Sequence, residues 1–85
     1  MKEFAVTVKD PSGIHARPAG LIVKESGKYN SEIKIHLGTK EADAKRIFSV
    51  MALNAVLNDN LKITISGTDE EKAFSELKDF FNNNI

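Results

Sequence analysis

Apolar and polar residues alternate along three separate stretches of the chain. The apolar positions are Phe4, Val6 and Val8, then Ile33, Ile35 and Leu37, then Leu61, Ile63 and Ile65. A period of two sends successive side chains to opposite faces of a strand, so each stretch predicts a strand with one buried face. A turn at Gly38-Thr39 predicts a further, weaker strand from Lys40 to Ala44.

Helical spacing of apolar residues predicts two longer helices. The first begins at Ala16 and runs to about Lys28, and the second lies at the end of the chain, where Thr68 and Asp69 are candidate caps. The apolar positions of this last helix are Ala73, Phe74, Leu77, Phe80 and Phe81. Their spacing is typical of a helix that packs on a core, so we interpret the phenylalanines as core residues rather than as a cofactor site.

A short helix between these two, from about Arg46 to Ala55, has apolar residues on two sides. One side carries Val50, Leu53 and Leu57, and the other carries Ile47, Phe48 and Met51. One short helix cannot bury both sides in so small a domain. We therefore expect the first side to face the core, and the second, here called the apolar patch (Ile47, Phe48 and Met51), to be exposed for docking to partners. The alternative is that the helix is buried on both sides.

The predicted order of elements is βαββαβα. Short strands with one apolar face favour an antiparallel sheet that carries its helices on one face, so the expected fold class is α+β. Without its last helix the same order also describes ferredoxin-like domains, so the order of the four strands within the sheet stays open. A chain of 85 residues is expected to form one domain, residues 1–85.

Composition narrows the classes of function. Twelve Lys and Arg residues balance twelve Asp and Glu residues, so no global positive field favours nucleic acid or an anionic membrane. The chain has no cysteine, which excludes a disulfide framework and a thiolate metal site. It shows neither an apolar signal segment nor an apolar run long enough to span a membrane. We expect a cytoplasmic protein without a metal or an organic cofactor.

The segment from Gly13 to Ala19 (GIHARPA) joins the first strand to the first helix and places His15 at the junction. The first N–H groups of a helix lack helical acceptors and carry partial positive charge, so the N–H groups of Ala16 and Arg17 are expected to bind an anion. The Arg17 guanidinium adds a charged donor for a tetrahedral oxyanion. The segment therefore predicts a phosphate-binding site.

A histidine at such a place suits reversible phosphoryl transfer. The positive helix end disfavours imidazolium, so more of His15 is a neutral nucleophile, and the same field stabilises an attached phosphoryl group, to which Ser12 offers a hydroxyl. No acidic residue or second histidine lies between Gly13 and Ala19 to activate water. The alternative is that His15 only caps the helix. Asp10 and Ser12 are usual capping types, and the local residues leave both interpretations open.

The chain resembles the HPr family of phosphocarrier proteins of the bacterial phosphoenolpyruvate-dependent sugar phosphotransferase system. The resemblance covers essentially the whole chain, and its motifs are Gly13 to Ala19, Ile47-Phe48 with Val50-Met51, and Ile63 to Ile65 before Gly67. It implies an open-faced sandwich, phosphorylation of His15 on Nδ1 and assistance by Arg17. It also implies a carrier rather than an enzyme, with Enzyme I as phosphoryl donor and sugar-specific IIA domains as acceptors, both of which contact the apolar patch.

Two residues of the first helix are expected to belong to the same docking surface. Gly20 costs roughly 1 kcal/mol relative to alanine inside a helix, so either the helix tolerates it or a partner needs a flat surface there. Lys24, with Lys45 and Arg46, is a candidate for steering acidic partners, although these charges are also typical of a solvated surface. A carrier that presents one site to successive partners is expected to be a monomer.

The chain departs from the resembled family at Arg46. Many Gram-positive members have a regulatory serine at this position, and arginine cannot accept a phosphate, so serine regulation is not carried over. Ser49 is only a weak substitute because it is shifted along the helix. The second histidine, His36, has no carboxylate or histidine at ligand spacing, so we interpret it as an ordinary exposed strand residue.

Two other classes of function stay open on the residues alone. One is a ferredoxin-like module that binds an anionic metabolite at residues 13–18 and dimerises through the apolar patch. The other is a small acylphosphatase-like hydrolase, which would also use an arginine in a loop. A carrier would hold phosphate on His15, a binding module would take up none, and a hydrolase would release inorganic phosphate.

Overall fold

Four strands and three helices follow one another in the order βαββαβα, as the sequence pattern predicts. The computed structural model describes residues 1–85. The elements are β1 (Lys2–Thr7), α1 (Ala16–Ser26), β2 (Glu32–Leu37), β3 (Lys40–Asp43), α2 (Ile47–Met51), β4 (Asn60–Ser66) and α3 (Glu70–Asn84). The strands and the two longer helices agree with the predicted spans within a few residues, whereas α2 is much shorter than predicted.

The strands form one antiparallel sheet in the order β1-β4-β2-β3. Helix α1 connects β1 to β2, and β4 lies between these two strands. The register places Phe4, Ile63, Ile35 and Ala42 in one row across all four strands, and all four are buried. The α+β open-faced sandwich, with three helices on one face of a four-stranded antiparallel sheet, is confirmed.

The core lies between the sheet and the helices. Aromatic residues dominate one end of it, where the ring of Phe4 makes edge-to-face contacts with Phe74 at 5.9 Å and Phe81 at 5.7 Å between centroids. The other face of the sheet is open and polar. There His36 is half-buried rather than fully exposed, and its Nε2 atom lies 3.1 Å from the Thr64 hydroxyl. None of the helices combines the length and apolar composition needed to cross a bilayer.

Helix α2 ends at Met51, so the predicted helix from Arg46 to Ala55 is wrong over its second half. Asn54 adopts a φ of 53°, a left-handed conformation that a continuing helix does not allow. Val50 and Leu53 are buried as expected, but Leu57 is 42% exposed because the chain turns away from the helical path before reaching it. The expected core face of this helix therefore loses its last member.

Candidate functional site

A tight turn before α1 places His15 at the start of the helix. Gly13 has a φ of +69°, and its N–H donates to the carbonyl of Asp10 at 2.9 Å. The next N–H, that of Ile14, donates to the carbonyl of Ala55 at 3.0 Å. The turn is therefore held by one hydrogen bond within it and by a second one to the segment that follows α2.

His15 is the N-cap residue of α1, with extended backbone angles (φ −92°, ψ −165°). Its carbonyl accepts the first helical hydrogen bond, from the Ala19 N–H at 3.0 Å. Its side chain makes no capping hydrogen bond and is 42% exposed. The imidazole is therefore not used as a helix cap, and it is accessible to another molecule.

Unpaired donors surround the start of α1. The N–H groups of Ala16 and Arg17 have no acceptor within the chain, and Pro18, which has no N–H, is buried behind them. The Arg17 guanidinium is exposed and makes no ion pair or hydrogen bond. The Ser12 hydroxyl is likewise exposed and unpaired. All the predicted phosphate-binding groups thus lie within the few residues around His15 with their donors free.

Asp10 is a neighbour of His15 that was considered from the sequence only as a helix cap. One carboxylate oxygen accepts the Ser12 N–H at 2.9 Å, and the other lies 3.7 Å from His15 Nε2. The structure thus places an acidic side chain beside the imidazole, outside the Gly13–Ala19 segment. The only signal in the sequence is an aspartate five residues before the histidine, and a turn is needed to bring the two together.

The apolar patch is unevenly exposed. Phe48 is 83% exposed, whereas Ile47 and Met51 are half-buried and pack against the core. A Cβ atom on Gly20 would lie 3.9 Å from Ile47 Cδ1, in ordinary van der Waals contact, so α1 and α2 meet at this point without crowding. Lys24 lies one turn further along α1 and is exposed. The Gly20 position, Lys24 and the apolar patch therefore belong to two adjoining helices.

Val56 is a second exposed apolar residue, which was not assigned to the site from the sequence. It is 58% exposed, and its Cα atom would lie 3.0 Å from a Cβ on Gly13. Val56 therefore adjoins the turn that carries His15. It lies outside any helix, so helical spacing does not identify it as a surface residue.

Contacts around α2 change the roles expected for two side chains. The Lys45 ammonium donates to the Tyr29 carbonyl at 2.7 Å, so this charge is used within the fold, whereas Arg46 is exposed and unpaired. The Ser49 hydroxyl accepts the Asp43 N–H at 2.9 Å. The Ser49 hydroxyl is therefore already bonded to the end of β3. This makes Ser49 a still weaker substitute for a regulatory serine.

Comparisons of sequence and of structure both find that the chain is similar to one family of known proteins. A family model described as the PTS HPr component phosphorylation site matches residues 2–83. Phosphocarrier protein HPr of Mycoplasma pneumoniae is 44% identical over 79 residues, covering 92% of this chain and 90% of that protein. The crystal structure of HPr from Thermoanaerobacter tengcongensis is 36% identical with a TM-score of 0.88, covering 95% of this chain and 91% of that one. A dimer of HPr from the same organism has a TM-score of 0.73 at 36% identity, covering 94% and 92%.

Fold and site together define a class: small open-faced α+β sandwiches that expose a histidine beside free donors for an anion. Within that class, the chain belongs to the HPr family of phosphocarrier proteins. Family membership gives it the role of a phosphoryl carrier in the phosphotransferase system.

Proposed function

We propose that His15 accepts a phosphoryl group from phosphorylated Enzyme I and donates it to sugar-specific IIA domains during phosphoenolpyruvate-dependent sugar uptake. The observation that supports this most directly is an exposed imidazole at the start of α1, next to N–H groups that have no acceptor. The carrier is a substrate of its partners rather than an enzyme. It uses no metal or organic cofactor of its own.

Phosphoryl transfer needs positioning and stabilisation of charge more than it needs covalent help. The N–H groups of Ala16 and Arg17 point out of the helix end, where they bind phosphoryl oxygens attached to His15. The Arg17 guanidinium adds a charged contact, and the Ser12 hydroxyl adds a neutral one. These groups stabilise the phosphorylated carrier while leaving the phosphoryl group accessible from outside, which suits onward transfer.

Both partners dock on the surface formed by Gly20, Lys24 and the apolar patch. Phe48 supplies a large exposed ring, and Met51 an adaptable thioether, so one surface can pack against different proteins. Gly20 has no side chain to project where α1 meets Ile47 of α2, which keeps the surface flat for a partner. Because the donor and the acceptor use the same surface in turn, the working form is a monomer with a single domain. It acts in the cytoplasm, and it neither contacts nucleic acid nor inserts into a membrane.

Incubation with phosphoenolpyruvate and Enzyme I from a relative, followed by mass spectrometry, tests this proposal. We expect one phosphate on His15 that is labile in acid and stable in base. His15→Ala abolishes it, whereas His36→Ala, which removes the other histidine of the chain, retains it. Absence of label would favour an anion-binding module, and release of inorganic phosphate would favour a hydrolase. Size-exclusion chromatography with light scattering tests the monomer.

A further inference from the structure

The carboxylate of Asp10 has two distinct environments. Its Oδ1 atom accepts the Ser12 N–H at 2.9 Å, which closes the turn after β1. Its Oδ2 atom makes no hydrogen bond and lies 3.7 Å from His15 Nε2. No other group pairs with this oxygen, and the nearby Arg17 forms no ion pair with Asp10. One oxygen therefore holds the loop, and the other presents negative charge to the imidazole.

The backbone fixes Asp10 in this place. Its N–H donates to the main-chain oxygen of Ile85 at 3.2 Å, and its own carbonyl accepts the Gly13 N–H at 2.9 Å. The side chain is 26% exposed, less than the imidazole it faces. The Oδ2 atom and Nε2 are 3.7 Å apart, which is just beyond direct hydrogen-bond distance but close for a charge and a ring nitrogen.

We propose that Asp10 is a positioning residue for phosphoryl transfer, which favours the His15 tautomer with its proton on Nε2 and thereby leaves Nδ1 free to attack. A negatively charged oxygen beside one ring nitrogen favours the proton on that nitrogen and leaves the lone pair on the other. Nδ1 itself makes no hydrogen bond within the chain, so it is available to a phosphoryl donor. This inference rests on the proposed function, since it gives Asp10 a role in the reaction of the same histidine.

The transfer step balances with this tautomer. The Nδ1 lone pair forms the bond to phosphorus while the bond from phosphorus to the donor breaks, and its electron pair stays on the donor. The proton on Nε2 does not move, so the phosphorylated ring carries a positive charge that faces the Asp10 carboxylate. In the other tautomer the Nδ1 proton must leave before attack, and no side chain contacts Nδ1 to take it.

Nitrogen NMR of histidine-labelled protein measures the tautomer directly. At about pH 8.5, where imidazole is neutral, we expect wild-type His15 to carry its proton on Nε2. Asp10→Asn keeps an oxygen for the Ser12 N–H but loses the second acceptor. We expect this variant to show at least a doubled fraction of Nδ1–H, with unchanged signals from His36, which serves as an internal reference in the same spectrum.

Phosphoryl acceptance provides the second measurement, with Enzyme I and phosphoenolpyruvate as the source. We expect the initial rate for Asp10→Asn to fall about three- to tenfold, and Asp10→Glu to restore most of the rate and of the tautomer. Asp59→Asn is the matched control, because Asp59 also closes a turn through a side-chain oxygen, to the Val56 N–H at 2.9 Å, but makes no contact with His15. It should change neither measurement.

An unchanged tautomer in Asp10→Asn overturns the inference, as does an equal loss of rate in Asp10→Asn and Asp10→Glu, which would indicate a structural role for Asp10. Failure of the wild type to accept phosphate would instead overturn the proposed function. The NMR measurement does not depend on that outcome, so the two failures are distinguishable.

Discussion

The backbone of Gly13 lies against the carbonyl of Ala55 so closely that a Cβ atom on Gly13 would be 2.3 Å from that oxygen. The same oxygen accepts the N–H of Ile14 at 3.0 Å. His15 follows one residue later. The histidine is therefore positioned by a contact between two loops that are far apart in the sequence, and not by its own helix alone.

Substitution of Gly13 by alanine should be strongly destabilising. The left-handed φ costs about 1–2 kcal/mol for a residue with a Cβ, and relief of the overlap with the Ala55 carbonyl requires a further backbone shift of about 1–3 kcal/mol. We expect the free energy of unfolding in urea to fall by the sum, and phosphoryl acceptance by His15 to fall as well because the turn moves.

Gly38→Ala is the matched control. Gly38 also has a left-handed φ, of +61°, but a Cβ atom at this position would meet no other atom within 4 Å. The variant should therefore lose only the conformational part, about 1–2 kcal/mol, and keep full phosphoryl acceptance. Equal destabilisation in the two variants would contradict the role assigned to the Ala55 contact.

Tyr29 should resist ionisation in the folded protein. Burial is the main cause that raises the pKa of its phenol above the ordinary value, followed by the hydrogen bond that its hydroxyl donates to Glu76. Tyr29 is the only tyrosine, so near-ultraviolet absorbance reports it alone. We expect no tyrosinate signal from the native protein at about pH 10, and half-titration near that pH in concentrated urea.

The same pKa shift has a consequence for alkaline stability. The folded state holds the phenolic proton more tightly than the unfolded state, so stability falls as the pH rises above the unfolded pKa. Tyr29→Phe should abolish this component of the alkaline loss. An identical pH dependence in wild type and variant would contradict the assignment.

Asp69 should contribute stability that disappears in acid. Its carboxylate accepts hydrogen bonds from the Ser31 hydroxyl and from the N–H groups of Asn30 and Ser31, at 2.8 and 2.9 Å for the two N–H groups. The Ser31 hydroxyl is the main cause that lowers the pKa of Asp69 below its ordinary 3.8. This stabilisation is complete above the unfolded pKa and is lost as pH falls through the lower folded value.

Urea unfolding from neutral pH to below the unfolded pKa measures this contribution. The difference in unfolding free energy between wild type and Asp69→Asn should be largest at neutral pH and should shrink in acid. Asp79→Asn, on the exposed side of α3, controls for the loss of one negative charge. A difference that stays constant with pH would show that the Asp69 contacts do not depend on its charge.

Local patterns were sufficient for the strands and for the placement of His15 and Arg17 at the start of α1. The row from Phe4 to Ile63 and Ile35 follows from a period of two, and the GIHARPA segment placed His15 and Arg17 correctly at a helix start. Contacts between distant residues were not predictable, because spacing within one segment carries no information about the neighbouring loop. Asp69 illustrates this: it was one of two candidate caps and is the N-cap residue of α3, but its side chain binds the loop before β2 rather than the helix end.

The end of α2 was missed for a different reason. Apolar spacing continues from Val50 through Leu53 to Leu57, and periodicity alone cannot show that Asn54 adopts a left-handed conformation. Asparagine adopts this conformation more readily than most other residues with a side chain. For this reason Leu57 was wrongly predicted to face the core, and the exposure of Val56 beside the turn that carries His15 was not predicted.

Charge at Lys24 should affect the rate of association with partners more than stability. Lys24 is exposed and makes no ion pair. For Lys24→Glu we expect association with Enzyme I to slow about three- to tenfold at low salt and to approach wild type at high salt, since exposed charges act through a screened field. Lys72→Glu, an exposed lysine of α3 and the same change in net charge, should have little effect. Association rates indifferent to salt would contradict steering.

Substitution of Phe48 should weaken docking to partners without destabilising the fold. Its ring is 83% exposed, so truncation removes little buried surface, and Phe48→Ala should keep the wild-type free energy of unfolding. An exposed aromatic residue becomes a major contact once a partner covers it. We therefore expect Phe48→Ala to weaken binding to Enzyme I by about 1–2 kcal/mol, which is about five- to thirtyfold in Kd.

Phe74→Ala is the same substitution at a residue that packs on the core, and it should destabilise the fold without weakening docking. Phe74 lies on α3 and packs against Phe4, so its loss should destabilise the fold by about 1–3 kcal/mol while leaving Kd unchanged. Calorimetric titration and urea unfolding of both variants give four values. If Phe48→Ala bound Enzyme I as tightly as the wild type, the apolar patch would not be the docking surface. The exposure of Phe48 would then need another explanation.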